Sequence, residues 1–250
     1  MKKKNIAIIA HVDHGKTTLV DKLLQASGTF RENENIQERV MDSNDIERER
    51  GITILAKTTA INYKDYRINI LDTPGHADFG GEVERIMNMV DNVILVVDAY
   101  EGTMPQTRFV LKKAMEAHVK PIVVVNKVDK PAARPKEVVD EVMELFIDLG
   151  ADVDDLDFPV AYVSAVNGTS SFSPDPATQE KDMTKVLDLI IGESVDPKVS
   201  EGTLQFQPAL LDYNDFVGRI GIGLVKRGKS FCSSGRSFSS ILEAIILRVL

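Results

Sequence analysis

The stretch Ala10-His11-Val12-Asp13-His14-Gly15-Lys16-Thr17 decides how this chain folds. It reads A-x-x-x-x-G-K-T, the pattern of a phosphate-binding loop with alanine in place of the usual first glycine. An apolar run from Ile6 to Ile9 precedes the loop, and a helical pattern begins at Lys16. The loop therefore lies between a strand and the first turn of a helix, where outward N–H groups and the helix dipole favour an anion.

The residue types in this loop suit contacts with phosphate. Gly15 lets the backbone approach closely because it has no Cβ. Lys16 carries a mobile positive charge for the β- and γ-phosphates, and the Thr17 hydroxyl is placed to hold Mg²⁺. The alternative is a chance match on a tight strand-to-helix turn. The predicted phosphate contacts are Asp13, His14, Gly15, Lys16, Thr17 and Thr18, together with Gly75 further along the chain.

Composition limits the classes of protein to which the chain can belong. Of its 250 residues 43% are hydrophobic, which is enough for a core, and the net charge of −8 argues against general nucleic-acid binding. The single cysteine, Cys232, excludes an intrachain disulfide and fits a reducing cytosol. No run is long and apolar enough to span a membrane, so we expect a cytoplasmic protein, and we expect it to be a monomer.

Apolar runs alternate with helical patterns over about the first 190 residues. Val93–Val97 and Ile122–Val125 are apolar at every position, which is typical of strands buried on both faces. The sequence therefore predicts an α/β fold with a mostly parallel sheet covered by helices, and Lys57–Tyr63 as an edge strand. The other predicted strands are Asn5–Ala10, Tyr66–Leu71, Asn92–Asp98, Lys120–Asn126 and Phe158–Ser164. The predicted helices are Lys16–Ala26, Gly80–Val90, Pro105–His118, Pro135–Leu149 and Asp182–Gly192.

A long polar stretch from Thr29 to Ala56 separates the first helix from the second strand. A loop of this length in a compact domain is usually functional or disordered, and most of its charges suit a solvated surface. Thr53 differs from them, because a threonine hydroxyl close to a phosphate site can become a metal ligand.

The segment Asp72-Thr73-Pro74-Gly75-His76 follows an apolar strand, at the place where ligands gather in open α/β sheets. The carboxylate of Asp72 suits Mg²⁺ bound through water. Gly75 offers a backbone N–H for the γ-phosphate. His76 is the histidine whose neighbours suggest chemistry at the far side of that phosphate.

Asn126-Lys127-Val128-Asp129 follows the fifth predicted strand and suits recognition of a base. A carboxylate can accept hydrogen bonds from the N1–H and the 2-amino group of guanine, whereas adenine offers neither. Asn126 can bridge the base and the phosphate loop, and the aliphatic stem of Lys127 can cover the base. Ser164-Ala165 adds a backbone N–H for guanine O6. Taken singly, each segment also fits an ordinary polar turn at a strand end.

Five elements occur in one order along the chain, and in that order the chain resembles the GTPase superfamily. They are Ala10–Thr17, Thr53, Asp72–His76, Asn126–Asp129 and Ser164–Ala165. The runs AHVDHGKTTL, ERGITI and DTPGHADF are similar to the translational GTPases. The runs MDSNDIERERGITILAKTTAI, NILDTPGHADFGGEVERIMNMVD, MPQTRFVLKKA and VNKVDKPAARP are similar in detail to the TypA/BipA family of ribosome-binding GTPases.

The resemblance implies a P-loop GTPase domain that uses GTP or GDP with Mg²⁺ and hydrolyses GTP with water. It implies that Thr17 and Thr53 ligate Mg²⁺ directly and Asp72 through water, while His76 orients the attacking water. Positioning and charge neutralisation dominate such phosphoryl transfer.

The resemblance also implies a regulatory gate and a large partner. Val12 and Ile52 resemble an apolar gate that holds His76 away until the ribosome acts, and Asp13 resembles a loop carboxylate used near the phosphates. The implied partner is the ribosome, through its rRNA and ribosomal proteins.

The resemblance, which covers about Asn5 to Lys229, implies a second domain, and the expected organisation has four parts. They are a GTP-binding domain at 1–195, a linker at 196–202, the incomplete start of a translation-factor β-barrel at 203–229 and a non-family tail at 230–250. We expect the tail to result from a frameshift or an aberrant gene model rather than to mark a short paralogue. It suits one or two helical turns over Ile241–Leu250, and the absence of further domains would impair ribosome contacts.

Several alternatives remain open at the level of sequence. One is an ATP-using P-loop enzyme, against which Asn126–Asp129 argues. The others are a fragment that resembles elongation factor G and a fragment that binds nucleotide without turnover.

Overall fold

A seven-stranded sheet forms the centre of the computed structural model, which describes residues 2–28, 57–73, 80–152, 156–197, 200–214, 218–228, 230–231, 237–238 and 242–245. The strand order is β2-β3-β1-β4-β5-β6-β7. The five inner strands run parallel, whereas β2 and β7 pair antiparallel at the two edges. The strands are β1 Lys2–Ala10, β2 Lys57–Tyr63, β3 Tyr66–Asp72, β4 Asn92–Asp98, β5 Lys120–Asn126, β6 Val160–Ser164 and β7 Thr169–Ser171.

Helices cover both faces of this sheet. The helices are α1 Lys16–Ala26, α2 Gly80–Met87, α3 Pro105–Glu116, α4 Pro135–Asp148 and α5 Thr184–Glu193, with a 3-10 turn at Pro176–Thr178. The predicted α/β architecture is confirmed, and so is the edge position of β2. The strand β7, which the sequence analysis missed, is only three residues long and contains no apolar residue. No helix among the described residues has both the length and the apolar character that a membrane crossing requires.

Two apolar clusters account for the all-apolar strands. Successive strand residues face opposite sides, so Ile6 and Ile8 pack under α1 and α5, while Ala7 and Ile9 pack under α2, α3 and α4. All four of these side chains are at most 1% exposed. A strand buried on both faces cannot alternate apolar with polar residues, which is why the sequence shows continuous apolar runs.

The end of α5 is tied to the amino-terminal edge of the sheet. Lys4, which is 4% exposed, donates to the carbonyl of Ser194 and pairs with Asp196 at 2.8 Å. On the neighbouring strand the side-chain oxygen of Asn92 accepts from the N–H of Val195 at 2.8 Å. These contacts hold the residues that follow α5 against strands β1 and β4.

Two long antiparallel strands follow this part of the chain. Strands β8 Gln205–Asn214 and β9 Gly218–Arg227 pair antiparallel, close to the bounds expected for the start of a barrel. Their apolar residues Ala209, Leu210, Ile222 and Leu224 pack against the cluster under α2, α3 and α4.

The helical prediction for Ile241–Leu250 is wrong over its described part. Leu242–Ile245 forms strand β12, which pairs antiparallel with the open edge of β9. A short apolar run can form either a helix or a strand. This run forms a strand because the unpaired edge of β9 offers backbone N–H and C=O groups as hydrogen-bond partners. Two further strands, β10 Ser230–Phe231 and β11 Ser237–Phe238, pair with each other. The proposed domain boundaries stay a prediction.

The turn from β1 into α1 depends on glycine. Gly15 has φ +89°, and a Cβ built there would lie 2.4 Å from the side-chain nitrogen of Asn126. Gly28, just beyond the other end of α1, has φ +68°, with no described heavy atom within 4 Å of such a Cβ. The two glycines share the left-handed backbone and differ in the available space.

Gly15→Ala should therefore destabilise the protein more than Gly28→Ala. Both changes put a Cβ on left-handed backbone, at about 1 kcal/mol each. Only Gly15→Ala also displaces the Asn126 amide from its hydrogen bonds, which adds about 1 kcal/mol or more. Urea unfolding of the two variants beside the parent measures the difference. Equal losses would show that the close approach of Gly15 and Asn126 carries no cost.

Asp91 is a partly buried acid at the amino-terminal edge of the sheet. Its carboxylate accepts from the side-chain amide of Asn5 at 3.1 Å, and Asn5 accepts in turn from Asn69 at 2.8 Å. Burial, together with the nearby charge of Asp196, raises the pKa of Asp91 to about 6 against the opposing effects of Asn5 and Lys4. The ionised form is therefore less favourable in the folded protein than in the unfolded chain.

Asp91→Asn should raise the melting temperature at pH 7.5, and this gain should shrink as the pH falls from about 6 to about 4. The folded pKa of about 6 lies above the ordinary value of 3.8, so ionisation of Asp91 destabilises the parent as the pH rises through this window. Thermal unfolding across pH tests this, with the exposed Asp65→Asn as control. A gain that is the same at pH 4 and pH 7.5 would contradict it.

Candidate functional site

The parallel strands bring most of the predicted site residues to one edge of the sheet. Strands β1, β3, β4, β5 and β6 all end there, because parallel strands share one carboxyl-terminal edge. The residues at these ends are Ala10, Asp72, Asp98, Asn126 and Ser164. The chain crosses from β3 on one side of β1 to β4 on the other, and ligands bind in the crevice at such a reversal of strand order.

Lys16 contacts the end of β3. Its ammonium lies 2.7 Å from the Asp72 carboxylate and donates to the carbonyl of Thr73. The side chain of Lys16 is 9% exposed and that of Asp72 is fully buried. Thr73 is held in turn by donating from its hydroxyl to Ile8 O at 2.7 Å. Lys16 and Asp72, both predicted site residues, are therefore in direct contact, and their roles stay predictions.

The imidazole of His14 is turned into the protein. It is fully buried, its Nδ1 lies 3.3 Å from the N–H of Asp98, and its Nε2 lies 3.2 Å from Glu101. Burial lowers the pKa of His14, and neighbouring His11 lowers it further, although Asp98 and Glu101 act in the opposite direction. The lowered pKa favours the neutral imidazole, whose Nδ1 can accept from the N–H of Asp98. Any phosphate contact of His14 would have to come from its backbone.

Asn126 joins three strand ends. Its side-chain nitrogen donates to His14 O at 2.9 Å, and its side-chain oxygen accepts from the N–H of Ala165 at 3.0 Å. Its own carbonyl accepts from Ala99 N at 2.7 Å. Asn126 therefore contacts the phosphate loop, while its predicted contact with the base stays a prediction. The N–H of Ala165, predicted to meet guanine O6, donates to Asn126.

Lys127 lies beside the phosphate loop. It has the left-handed φ of 65°, and its ammonium contacts both the carbonyl of Asp13 and, at 2.8 Å, the carboxylate of Asp98. Lys130 lies 3.0 Å from the same carboxylate. Lys127 thus connects the loop after β5 to the loop after β1.

The other residues of the predicted base site differ in exposure. Val128 is 3% exposed and packs in the core, so its side chain is structural. Asp129 is exposed, as a carboxylate that meets a ligand must be. Ser164 is buried, and its hydroxyl accepts from Asn167 N at 3.4 Å.

Part of the predicted site lies outside the described residues. This holds for Thr53, Gly75, His76 and Ile52. Val12, the other predicted gate residue, is half-buried, as are Thr17 and Thr18 in the first turn of α1, while Asp13 is exposed with φ 64°.

The sequence analysis missed Asp98. This carboxylate is fully buried at the end of β4 and accepts from Tyr100 N at 2.8 Å and Glu101 N at 3.4 Å. Burial raises its pKa, but the hydrogen bonds from Lys127, Tyr100 and Lys130 outweigh that effect and lower the pKa to about 2. The available signal was its place at the end of an all-apolar strand, the same signal that singled out Asp72.

The residues present fit Mg²⁺ of the kind that binds together with a phosphate. Mg²⁺ prefers oxygen ligands and usually takes only one or two from protein, completing its shell with water and phosphate. The Thr17 hydroxyl in the first turn of α1 and the Asp72 carboxylate at the end of β3 are oxygen donors at the carboxyl-terminal edge. Among the described residues no group of three or more His, Cys, Asp or Glu could hold a metal.

Similar sequences belong to bacterial assembly factors. The chain is 69% identical over 226 residues to the large ribosomal subunit assembly factor BipA of Bacillus subtilis strain 168. It is 63% identical over 227 residues to the protein of the same name in Salmonella typhimurium strain LT2, and 62% over 229 residues to that of Escherichia coli strain K12. These matches cover 90%, 90% and 91% of this chain and 37% of each relative. The chain thus spans little more than a third of the length of these relatives.

Similar solved structures support the same fold. A bacterial selenocysteine-specific elongation factor EF-Sec superposes with a TM-score of 0.69 at 23% identity, covering 96% of this chain and 38% of that one. The elongation factor SelB of Methanococcus maripaludis gives a TM-score of 0.67 at 20% identity, covering 98% of this chain and 49% of that one.

The family described as the elongation factor Tu GTP binding domain matches residues 1–213. The chain therefore belongs to the family of elongation factor Tu GTP-binding domains.

Proposed function

We propose that the chain binds GTP and hydrolyses it to GDP and phosphate, as the GTP-binding part of a ribosome-associated translational GTPase of the BipA type. The observation that carries this proposal is the position of Asn126, whose amide joins the phosphate loop at His14 to Ala165. A nucleotide must reach its phosphate and base contacts at once, so the loops that hold them must be adjacent.

The phosphates would lie over the first turn of α1. The backbone around Gly15, the ammonium of Lys16 and the hydroxyls of Thr17 and Thr18 would contact them, with Asp13 and the N–H of Gly75 nearby. Lys16 would turn from Asp72 towards the β- and γ-phosphates, a movement its long side chain permits. Support comes from the contact of Lys16 with Asp72 at 2.7 Å, which brings the cation to this edge of the sheet.

Mg²⁺ would be held by the hydroxyls of Thr17 and Thr53 and, through water, by Asp72. When bound, the ion neutralises charge on the phosphates. Support comes from Asp72 being fully buried at the end of β3, at the same edge of the sheet as the first turn of α1 with Thr17.

Hydrolysis would depend on His76, which would orient the attacking water, while Val12 and Ile52 gate its approach. This role rests on the family resemblance of the run DTPGHADF. Catalysis here is positioning and electrostatic stabilisation, because the protein forms no covalent bond to the phosphoryl group.

The guanine base would lie against the loops after β5 and β6. The exposed carboxylate of Asp129 would accept from the N1–H and the 2-amino group, and the stem of Lys127 would cover one face. The N–H of Ala165 would meet O6 only by sharing its hydrogen bond with Asn126. Specificity for guanine would therefore rest mainly on Asp129.

Asp129→Asn should weaken GTP binding and improve binding of xanthosine triphosphate. An amide nitrogen donates where the carboxylate accepted, which suits the 2-oxo group of xanthine and not the 2-amino group of guanine. Fluorescence titration with both nucleotides measures the exchange. The control is Asp188→Asn, an exposed acid on α5 paired with Lys64, which should change neither affinity. An Asp129→Asn protein that still prefers GTP as strongly as the parent would contradict the assignment.

His76→Ala should leave the dissociation constant for GTP nearly unchanged and lower the rate of hydrolysis. A residue that acts only in the transition state changes rate and not ground-state affinity. Turnover is measured by phosphate release with and without added 70S ribosomes. His118→Asn is the control, an exposed histidine with φ 55° where asparagine is tolerated.

The two readouts separate the remaining alternatives. Equal losses of affinity and rate in His76→Ala would make this histidine structural. GTP binding by the parent without turnover in either condition would favour a domain that only binds nucleotide. Stimulation of the parent by ribosomes would support the ribosome as a partner of this chain.

A further inference from the structure

The carboxylate of Asp98 is a buried charge that neither the proposed phosphate contacts nor the proposed base contacts use. It is fully buried at the end of β4, between the loop after β1 and the loop after β5. One oxygen accepts the backbone N–H groups of Tyr100 and Glu101, at 2.8 and 3.4 Å. The other receives the ammonium groups of Lys127 and Lys130, at 2.8 and 3.0 Å.

A buried carboxylate is unfavourable unless it is paired and hydrogen-bonded, and Asp98 meets both conditions. The two backbone donors fix the direction of the carboxylate, because they come from the turn that directly follows β4. The carboxylate therefore offers the lysines a fixed partner. Its pKa, lowered to about 2 by these hydrogen bonds against the effect of burial, keeps it charged at neutral pH.

Lys127 is the residue that this partner restrains. Its backbone has φ 65°, a left-handed conformation that is unfavourable for a non-glycine residue. Its ammonium contacts both Asp98 and the carbonyl of Asp13 in the phosphate loop. With its two ends held, the aliphatic stem of Lys127 spans from the loop after β5 to the phosphate loop.

We propose that Asp98 is a positioning residue for guanine-nucleotide binding, which holds Lys127 across the phosphate loop so that its stem is ready to cover the base. This inference rests on the proposed function. Asp98 touches no nucleotide atom and acts through Lys127. Preorganisation of this kind raises affinity because the side chain loses its freedom before the ligand arrives.

Lys130 provides a matched comparison on the same carboxylate. It has the same charge and contacts the same oxygen, and its ammonium lies 5.9 Å from the centroid of the Tyr100 ring. Its side chain is 39% exposed, against 23% for Lys127. If Asp98 acts through Lys127, the two lysines should differ in their effect on nucleotide affinity although both pair with it.

The test is a pair of double-mutant cycles on the full chain, read out as GDP affinity with a fluorescent GDP analogue. Asp98→Asn, which keeps the shape and removes the charge, should weaken binding roughly tenfold, the usual scale for coupled neighbours. In a Lys127→Met background the further effect of Asp98→Asn should fall below about twofold, and in a Lys130→Met background it should stay near tenfold. A structural role of Asp98 would predict the same further loss in both backgrounds, and that outcome would overturn the proposal.

A second comparison keeps the inference testable if Asp98→Asn does not fold. Methionine keeps the unbranched apolar stem of lysine and lacks its ammonium, so Lys127→Met retains the surface that covers a base and loses the contact with Asp98. It should bind GDP roughly tenfold more weakly, whereas Lys130→Met should change affinity by less than about threefold. Full affinity in Lys127→Met would overturn the positioning role while leaving GTP binding intact. Failure of the parent chain to bind GDP would overturn the proposed function and this inference with it.

Discussion

The side-chain amide of Asn126 is the interaction on which the arrangement of the site depends. Its two ends bond to the carbonyl of His14 and the N–H of Ala165, so one planar group spans from the end of β1 to the end of β6. The glycine at position 15 leaves the space this amide occupies, since a Cβ there would lie 2.4 Å from its nitrogen. A buried amide that satisfies both its donor and its acceptor in this way holds the loops at a fixed separation.

A second, charged layer surrounds this amide. The carboxylate of Asp98 collects two lysines and two backbone donors, while the backbone N–H of the same residue lies beside the buried imidazole of His14. On the other side of β1 from Asp98, the carboxylate of Asp72 at the end of β3 pairs with Lys16. Each buried acid at this edge thus has a lysine partner that reaches it from a loop or a helix start. This pairing lets ionised groups remain at an edge that would otherwise exclude them.

Much of the fold could be predicted, because continuous apolar runs and helix starts are local features. Four predicted elements have the expected bounds in the structure, namely Lys57–Tyr63, Asn92–Asp98, Lys120–Asn126 and Lys16–Ala26. The prediction failed at Leu242–Ile245, where a short apolar run pairs with the edge of β9 although its spacing also suits a helix. The competing factor was a tertiary contact with a strand about twenty residues earlier, which no local pattern reports.

For the site, the sequence by itself determined which residue types follow each strand, and the continuous apolar character of the strands predicted that most of them run parallel. From this alone Lys16, Asp72, Asn126 and Asp129 could be assigned to one edge of the sheet. Only the tertiary structure decided that His14 turns inward to Asp98, and that Lys127 reaches back to Asp13. These contacts join residues more than eighty positions apart. Their partners are chosen by which strands are neighbours in the sheet and by the need to pair buried charge, neither of which spacing along the chain reveals.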